Sequence, residues 1–290
     1  MDAAQPPRVS SSCRRSRAVL CFGMRRTGIA GLCALLLFAA CPFGEAALGA
    51  DLTGEQVRDA LAHATADHPA DFTGKSLEKL DLSKLNFTGA NLAGANLFGA
   101  NLTEANFTGA DLSRATLDLA WVMRTNFTHA KLTKASLQGL VVSMGMETSA
   151  AQAPILPGAD LSGARIVARL SWANMQGAKF VDALMGADLK NQSMGLMRAD
   201  LSSANLAGAD FAGADLRHAL MRFTKLMGAN LAGANLAQAD LSGANLTGAD
   251  LTGADVSDAD FSDADFSQVV LTGARGPDRM KGKPLNAPAY

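Results

Sequence analysis

From Phe72 to Val142 a large apolar residue stands at every fifth position, fifteen times in succession, and from Leu201 to Leu271 it does so fifteen times more. The residue two places before it is Ala in ten units of the first block and thirteen of the second. The residue just before it is mostly Asp or Asn, and the two after it favour Ser or Thr and then Gly. A period of five matches neither the 3.6-residue turn of a helix nor the alternation of a long strand. If the central apolar residue is i, then i−2 and i share one side of a short extended segment and i−1 faces the other way. Ser-Gly or Thr-Gly at i+1 and i+2 suits a turn whose second corner has φ > 0. Short strand and turn, repeated in one sense, make a coil, and stacked coils pair as parallel strands. One large and one tiny inward residue per unit specify a narrow, filled interior.

Ala229-Asn230-Leu231-Ala232-Gly233 and Ala244-Asn245-Leu246-Thr247-Gly248 show the unit in full. In tandem, over about two-thirds of the chain, A(D/N)LxG resembles the pentapeptide-repeat family. The resemblance implies an all-β fold, a right-handed quadrilateral parallel β-helix with four units per coil. Phe87, Phe107 and Phe127 are spaced by twenty, so such a coil would stack them on one inner face. Nine or ten coils, ~4.8 Å apart, would extend roughly 45 Å.

The pattern divides the chain. Residues 70–144 and 199–273 are regular repeats, and 145–198 reads as a loop with irregular repeats. There Gly145–Pro157 has a loop composition with two prolines. Leu161, Ile166, Leu170, Met175, Phe180, Met185, Leu189 and Met194 form an interrupted interior set, two of whose steps are four residues. Residues 47–69 hold a short amphipathic helix with Thr53 near its N-cap and Val57, Ala60, Leu61 and Ala64 on one face. It is expected to cap the first coil, since an open parallel edge invites association. The tail 274–290 reads as irregular. Phe261, Phe266, Val269, Val270 and Leu271 then close the last coil uncovered, so a homodimer through the C-terminal coil is expected, as the family resemblance also implies.

The amino terminus bears on compartment. Arg25-Arg26 precedes an apolar run within Thr27–Ala40 and then small residues, the layout of a signal peptide over 1–46. The run is short for a membrane span. Met24 is an alternative start, and Phe38-Ala39-Ala40-Cys41 offers a weaker lipoprotein reading. Export points to a periplasmic or secreted bacterial protein. All four cysteines, at positions 13, 21, 33 and 41, precede the cleavage region, so the exported chain has no thiol chemistry.

Charge and chemistry add little. The formal net charge is −1, but 199–273 carries −7 and 70–144 carries +1. Some pentapeptide-repeat proteins resemble duplex DNA in shape and charge and inhibit type II topoisomerases, which makes a DNA mimic the second functional reading. Taking every twentieth residue spreads Asp around the coil and dilutes it with Asn, against such a track. No basic stripe marks nucleic-acid binding. His63, His68, His129 and His218 have no metal-ligand spacing, and Asp258 and Asp263 read as solvated repeats. Met144 with Met146, Met194 with Met197, and Met221 with Met227 give the third reading, thioether binding of Cu(I) in an exported protein. Met175, Met185, Met194 and Met221 also occupy interior positions as gap-fillers. Trp121 and Trp172 are candidates for a contact surface.

The sequence therefore predicts a non-enzymatic exported solenoid that acts as a structural or protein-interaction module, with no catalytic, cofactor or metal site and an unidentified protein partner. Leu231→Asp would bury an unpaired charge in the interior and is expected to abolish the native circular dichroism spectrum. A native spectrum would refute the assigned register.

Overall fold

The computed structural model describes residues 49–143, 145, 149–187 and 198–287. All belong to the second of two compact units, Phe43–Tyr290. The 1–46 signal with Met24 and Cys41, and Met144, Met146, Leu189, Met194 and Met197, lie outside the described residues.

Helix α1, Gly54–His63, opens with a capping box. The Gln56 N–H donates to the Thr53 hydroxyl and the Thr53 N–H to the Gln56 side chain. That pairs two N–H groups the first helical turn leaves open. Val57 is fully buried, and Ala60, Leu61 and Ala64 pack on the same core as Leu80 and Leu85, which stand where later coils have Ala.

Beyond α1 the chain winds through short parallel bridges. Asp71 pairs with Asn91, Asn91 with Asp111 and Asp111 with Lys131, so one coil takes twenty residues and four five-residue units. The unit centred on Leu92 shows why five residues suffice. The Ala90 N–H closes the preceding turn on the Phe87 carbonyl. The Asn91 N–H reaches back to Ala70 of the previous coil, and those of Leu92 and Gly94 reach forward to Asp111 and Ser113 of the next. The fifth, on Ala93, donates to the Asn91 side chain at 3.1 Å. Every donor of the unit has a partner, as buried or crowded backbone requires.

The turn depends on a left-handed residue at i+2. Gly94 has φ 68°, and Lys84, Arg114 and His129 adopt φ 61°, 60° and 54° at the same corner position. A side chain there costs roughly 1–2 kcal/mol, so the ladder must enforce the conformation.

Inside, Ala at i−2 and the large residue at i are sealed from solvent through almost the whole length. Phe87 stacks on Phe107 at 4.6 Å and Phe107 on Phe127 at 5.3 Å, as the twenty-residue spacing predicts. Phe180 and Phe211 form a second stack at 4.6 Å. Thr125 and Thr224 replace Ala at i−2 and stay buried because their hydroxyls donate to the Leu102 and Met221 carbonyls, each at 2.7 Å.

Four columns of i−1 residues define the outer faces. The first begins Asp71, Asn91, Asp111, the second Ser76, Asn96, Thr116, the third Asp81, Asn101, Trp121, and the fourth Asn86, Asn106, Asn126. Within 145–198, expected as a loop with irregular repeats, the described residues form coil whose bridges are offset by two insertions. Asn126 pairs with Ile155, which places nine extra residues at the corner between the third and fourth faces. Leu184 pairs with Asp215, which places eleven more between the second and third. Repeats resume at Leu156, one unit before Leu161, and the Ile166-to-Leu170 step is one residue short. Beside it lies the longest pairing, strand β1 (Ser136–Gln138) with β2 (Arg165–Val167).

The far end differs too. Asp255 pairs with Arg275, Asp260 with Lys281 and Asp265 with Leu285, so the ladder continues into the tail expected to be irregular. A 3-10 turn at Pro277–Arg279 lies within this last coil. Phe261 and Phe266 are consequently sealed, while Val270 and Leu285 are exposed. Of the apolar set expected to stand uncovered, Phe261, Phe266 and Val269 are buried, Leu271 is half-buried and Val270 is exposed.

Gly243 and Gly248 separate the two demands on corner glycines. Both have positive φ, but an added Cβ at Gly243 would lie 2.5 Å from the Phe223 ring, whereas Gly248 has nothing within 4 Å. Gly248→Ala should cost about 1 kcal/mol, the left-handed penalty alone. Gly243→Ala should cost about 1 kcal/mol more, from the displaced ring. Equal losses in urea unfolding would contradict this account.

Candidate interaction surface

With i−2 and i sealed inside, positions i−1, i+1 and i+2 are all the repeats offer to a partner. Most i−1 carboxylates are engaged within their own turn. The Asp260 side chain accepts from the Ser262 N–H and hydroxyl at 2.9 and 2.6 Å, and Asp71 holds Thr73 likewise. This is the Asx-type bonding for which Asp and Asn are suited. Such bonds favour the charged form. The Thr73 hydroxyl and N–H hold Asp71 below the usual carboxylate range, and those of Ser262 do so for Asp260. The Ser267 hydroxyl and N–H, with Asn286, bring Asp265 to about 2.

On the fourth face the same groups link successive coils. The Asn106 amide donates to the Asn86 carbonyl oxygen at 3.2 Å and to the Thr88 hydroxyl at 2.9 Å. The resulting polar ladder is satisfied by its own members.

The residues singled out from the sequence do not converge. His63 faces the Asp59 carbonyl at 2.8 Å on α1, and His129 leans over Gly158. His68 and His218 stand on separate coils or linkers. No group of three or more His, Cys, Asp or Glu residues able to hold a metal occurs among the described residues. Met175, Met185 and Met221 are core, and Met227 is 45% exposed, so Met221 and Met227 share no accessible site. Asp258 is ion-paired with Arg279 at 2.5 Å instead of acting with Asp263. Among the described residues, no helix is long and apolar enough to cross a membrane.

Trp121 and Trp172 are exposed, and the coil register gives them a setting the linear sequence hides. Trp121, Val141 and Leu220 stand on the third face. Trp172 and Phe223 occupy its corner with the fourth face, and Leu119 its corner with the second. Four of the nine exposed large apolar residues, Leu119, Trp121, Trp172 and Phe223, thus lie on the third face or at its corners, Ile155, Met227 and Leu285 lie on the fourth, Leu184 on the second and Val270 on the first. Both insertions also leave from corners of the third face. Leu184 and Ile155 were not singled out from the sequence. Their outward position shows only once the insertions set the register.

A twenty-residue coil built from tandem five-residue units is the decisive observation. A family model described as pentapeptide repeats, in eight copies, matches residues 81–118, 196–233 and 229–268. The chain is also 30% identical to HetL, a pentapeptide repeat protein involved in heterocyst differentiation regulation in the cyanobacterium Nostoc sp. strain PCC 7120. That match covers 78% of this chain and 98% of HetL, with a TM-score of 0.42. The chain belongs to the pentapeptide-repeat family. The solved structure of QnrB1, a plasmid-mediated fluoroquinolone resistance protein, is similar at 20% identity, over 73% of this chain and 94% of that one, with a TM-score of 0.46. No curated protein matches the chain. In this pentapeptide-repeat protein each unit adds a ladder rung and three outward side chains, so the sequence of the outer positions sets what the surface contacts.

The engaged carboxylates make stability depend on pH. Their depressed values mean that the stabilisation is complete above the unfolded-state value near ~3.9 and is lost as pH falls through the folded-state values. The thermal midpoint should hold from about pH 7 to about pH 5 and fall between about pH 4 and about pH 2. Asp260→Asn keeps an acceptor for the Ser262 N–H but cannot titrate, and should reduce that fall. An equally steep acid loss in the variant would exclude Asp260 as a contributor.

Proposed function

We propose that this pentapeptide-repeat protein is an exported, non-enzymatic module whose work is done by contact between its outer side chains and another macromolecule. The observation that carries this reading is the sealed interior: Ala at i−2 and the large residue at i consume the space where a pocket would form. Catalysis needs converging groups in a recess, and the outward carboxylates are instead tied into their own turns.

In this reading the coil is right-handed and four-sided, residues 1–46 direct export, and α1 with its flanks over 47–69 covers the first coil. The capping box and the burial of Val57 support the last role. The partner is a protein, because the surface is a mosaic of single charges and exposed apolar side chains with no continuous basic stripe.

A DNA mimic would need an unbroken acidic track. The first face instead runs Asp210, Asn230, Asp250, Val270, and the third Asp200, Leu220, Asp240. Those interruptions count against such a track.

The test is to fractionate cells and determine the mature amino terminus by mass spectrometry. A start at Ala47 or Ala50 in an exported fraction is the expected result. An uncleaved chain in the cytoplasm would overturn it and make topoisomerase inhibition the next assay.

A further inference from the structure

We propose that the first face is the seat of a two-fold dimer, in which two copies pack antiparallel and face to face about an axis that crosses the face between the coils of Asp160 and Lys179. The proposal goes beyond the reading above and stands whether or not the chain is exported. The first face is the one face with no insertion at either corner, because the inserted residues leave between the third and fourth faces and between the second and third. It is also flat. No residue at i+1 on it is larger than Val181, and glycines such as Gly158, Gly177, Gly213 and Gly233 fill most of its corners. In the middle of its column the charge alternates on five successive coils: Asp111, Lys131, Asp160, Lys179, Asp210. Lys131 and Lys179 are exposed and make no ion pair among the described residues. Asp160 accepts from Ser162, and Asp210 from Ala212 and Asn230, through Oδ1 alone. The Oδ2 atom of each takes no hydrogen bond from the described residues, so both signs of charge are open to a second chain.

The alternation selects the arrangement. Parallel packing, about an axis along the coils, would lay the column over the small i+1 residues of the second copy and use none of its charge. An antiparallel axis through a coil would set Lys131 on Lys179 or Asp160 on Asp210. An axis between coils sets opposite signs together, and only between Asp160 and Lys179 do all ten coils of the column overlap. Asp160 then faces Lys179 of the second copy and Lys131 faces Asp210, each twice by symmetry. Asp111 faces Asn230, Asn91 faces Asp250 and Asp71 faces Val270, so no two like charges meet across the column. At the corner with the second face, Arg114, Lys134 and Asp182 each meet a glycine: Gly233, Gly213 and Gly163. Such a contact is isologous and closed, so it stops at two copies. Ten coils give a footprint of about 43 Å by about 10 Å. That is small for a specific interface, so the dimer depends on its charge pairs and should be sensitive to salt.

Charge reversal in two halves tests this on the full chain by sedimentation equilibrium, with circular dichroism to establish folding. One variant is Lys131→Asp with Lys179→Asp, and the other is Asp160→Lys with Asp210→Lys. The i−1 position already holds both residue types, as in Asp250 and Lys225, so both variants should fold. The wild type should be dimeric at ~100 μM chain and ~50 mM salt, and dissociate towards ~1 M, where charge is screened within ~3 Å. Each variant alone sets like charges together and should dimerise at least about tenfold more weakly. An equimolar mixture should recover at least wild-type affinity, because each reversed residue then meets its complement. Gly233→Arg tests the face without reversing its charge. An added Cβ there has nothing within 4 Å, and Arg114 shows that the corner accepts arginine. It should fold, meet Arg114 of the second copy and weaken the dimer about tenfold. Lys225→Asp, on the fourth face, should leave the dimer unchanged. A monomeric wild type, charge variants or Gly233→Arg that dimerise like the wild type, or a mixture that fails to recover would each overturn the proposal. So would a dimer kept by all of these and lost with Leu285→Asp, which would place the contact at the C-terminal coil.

Discussion

Everything in this molecule depends on finding a partner for each backbone N–H of a five-residue unit. Three join neighbouring coils, one closes the turn, and the fifth falls to the side chain at i−1. The last requirement explains why Asp and Asn dominate a position that faces water. A purely solvated site would accept Lys or Glu as readily. It also explains why net charge says little about function here: much of the acid in the second half bonds within its own turn.

The same constraint governs the corners. Each coil must pass four times through a left-handed residue, and eighteen non-glycine residues among those described accept that conformation. The ladder on both sides outweighs the local penalty, so the corners tolerate Lys, Arg, His and Phe as well as Gly. That tolerance lets the outer surface vary without disturbing the interior. A solenoid divides its two tasks between fixed positions: i−2 and i hold it together, while i+1 and i+2 are free to specify a contact. Phe223 over Gly243 shows the remaining coupling, since a large corner side chain needs a small neighbour one coil on.

The acidic carboxylates and the exposed aromatics then acquire different meanings. Asp71, Asp250 and Asp260 belong to the turn. Trp121, Trp172 and Phe223 contribute nothing comparable to the ladder, and their collection along one side of the coil is a property of the surface alone. The insertions that leave from the corners of that same face leave the coils before and after them in register.

The sequence by itself determined the repeat, the inward set and the aromatic stack, because a strict spacing of five and twenty is a local property that counting reveals. It determined the left-handed corners for the same reason. Three things were decided only in the folded chain. Residues 145–198 read as irregular because nine and eleven inserted residues shift the count, although the ladder closes across them without losing a face. The tail after Gly273 read as irregular because Pro277 and Pro284 break the pattern, yet Arg275, Lys281 and Leu285 pair with the previous coil. And the face on which each outward residue stands depends on the sum of all residues before it. Phase lost at one insertion is restored only by hydrogen bonding to a neighbouring coil, a contact between residues distant in sequence.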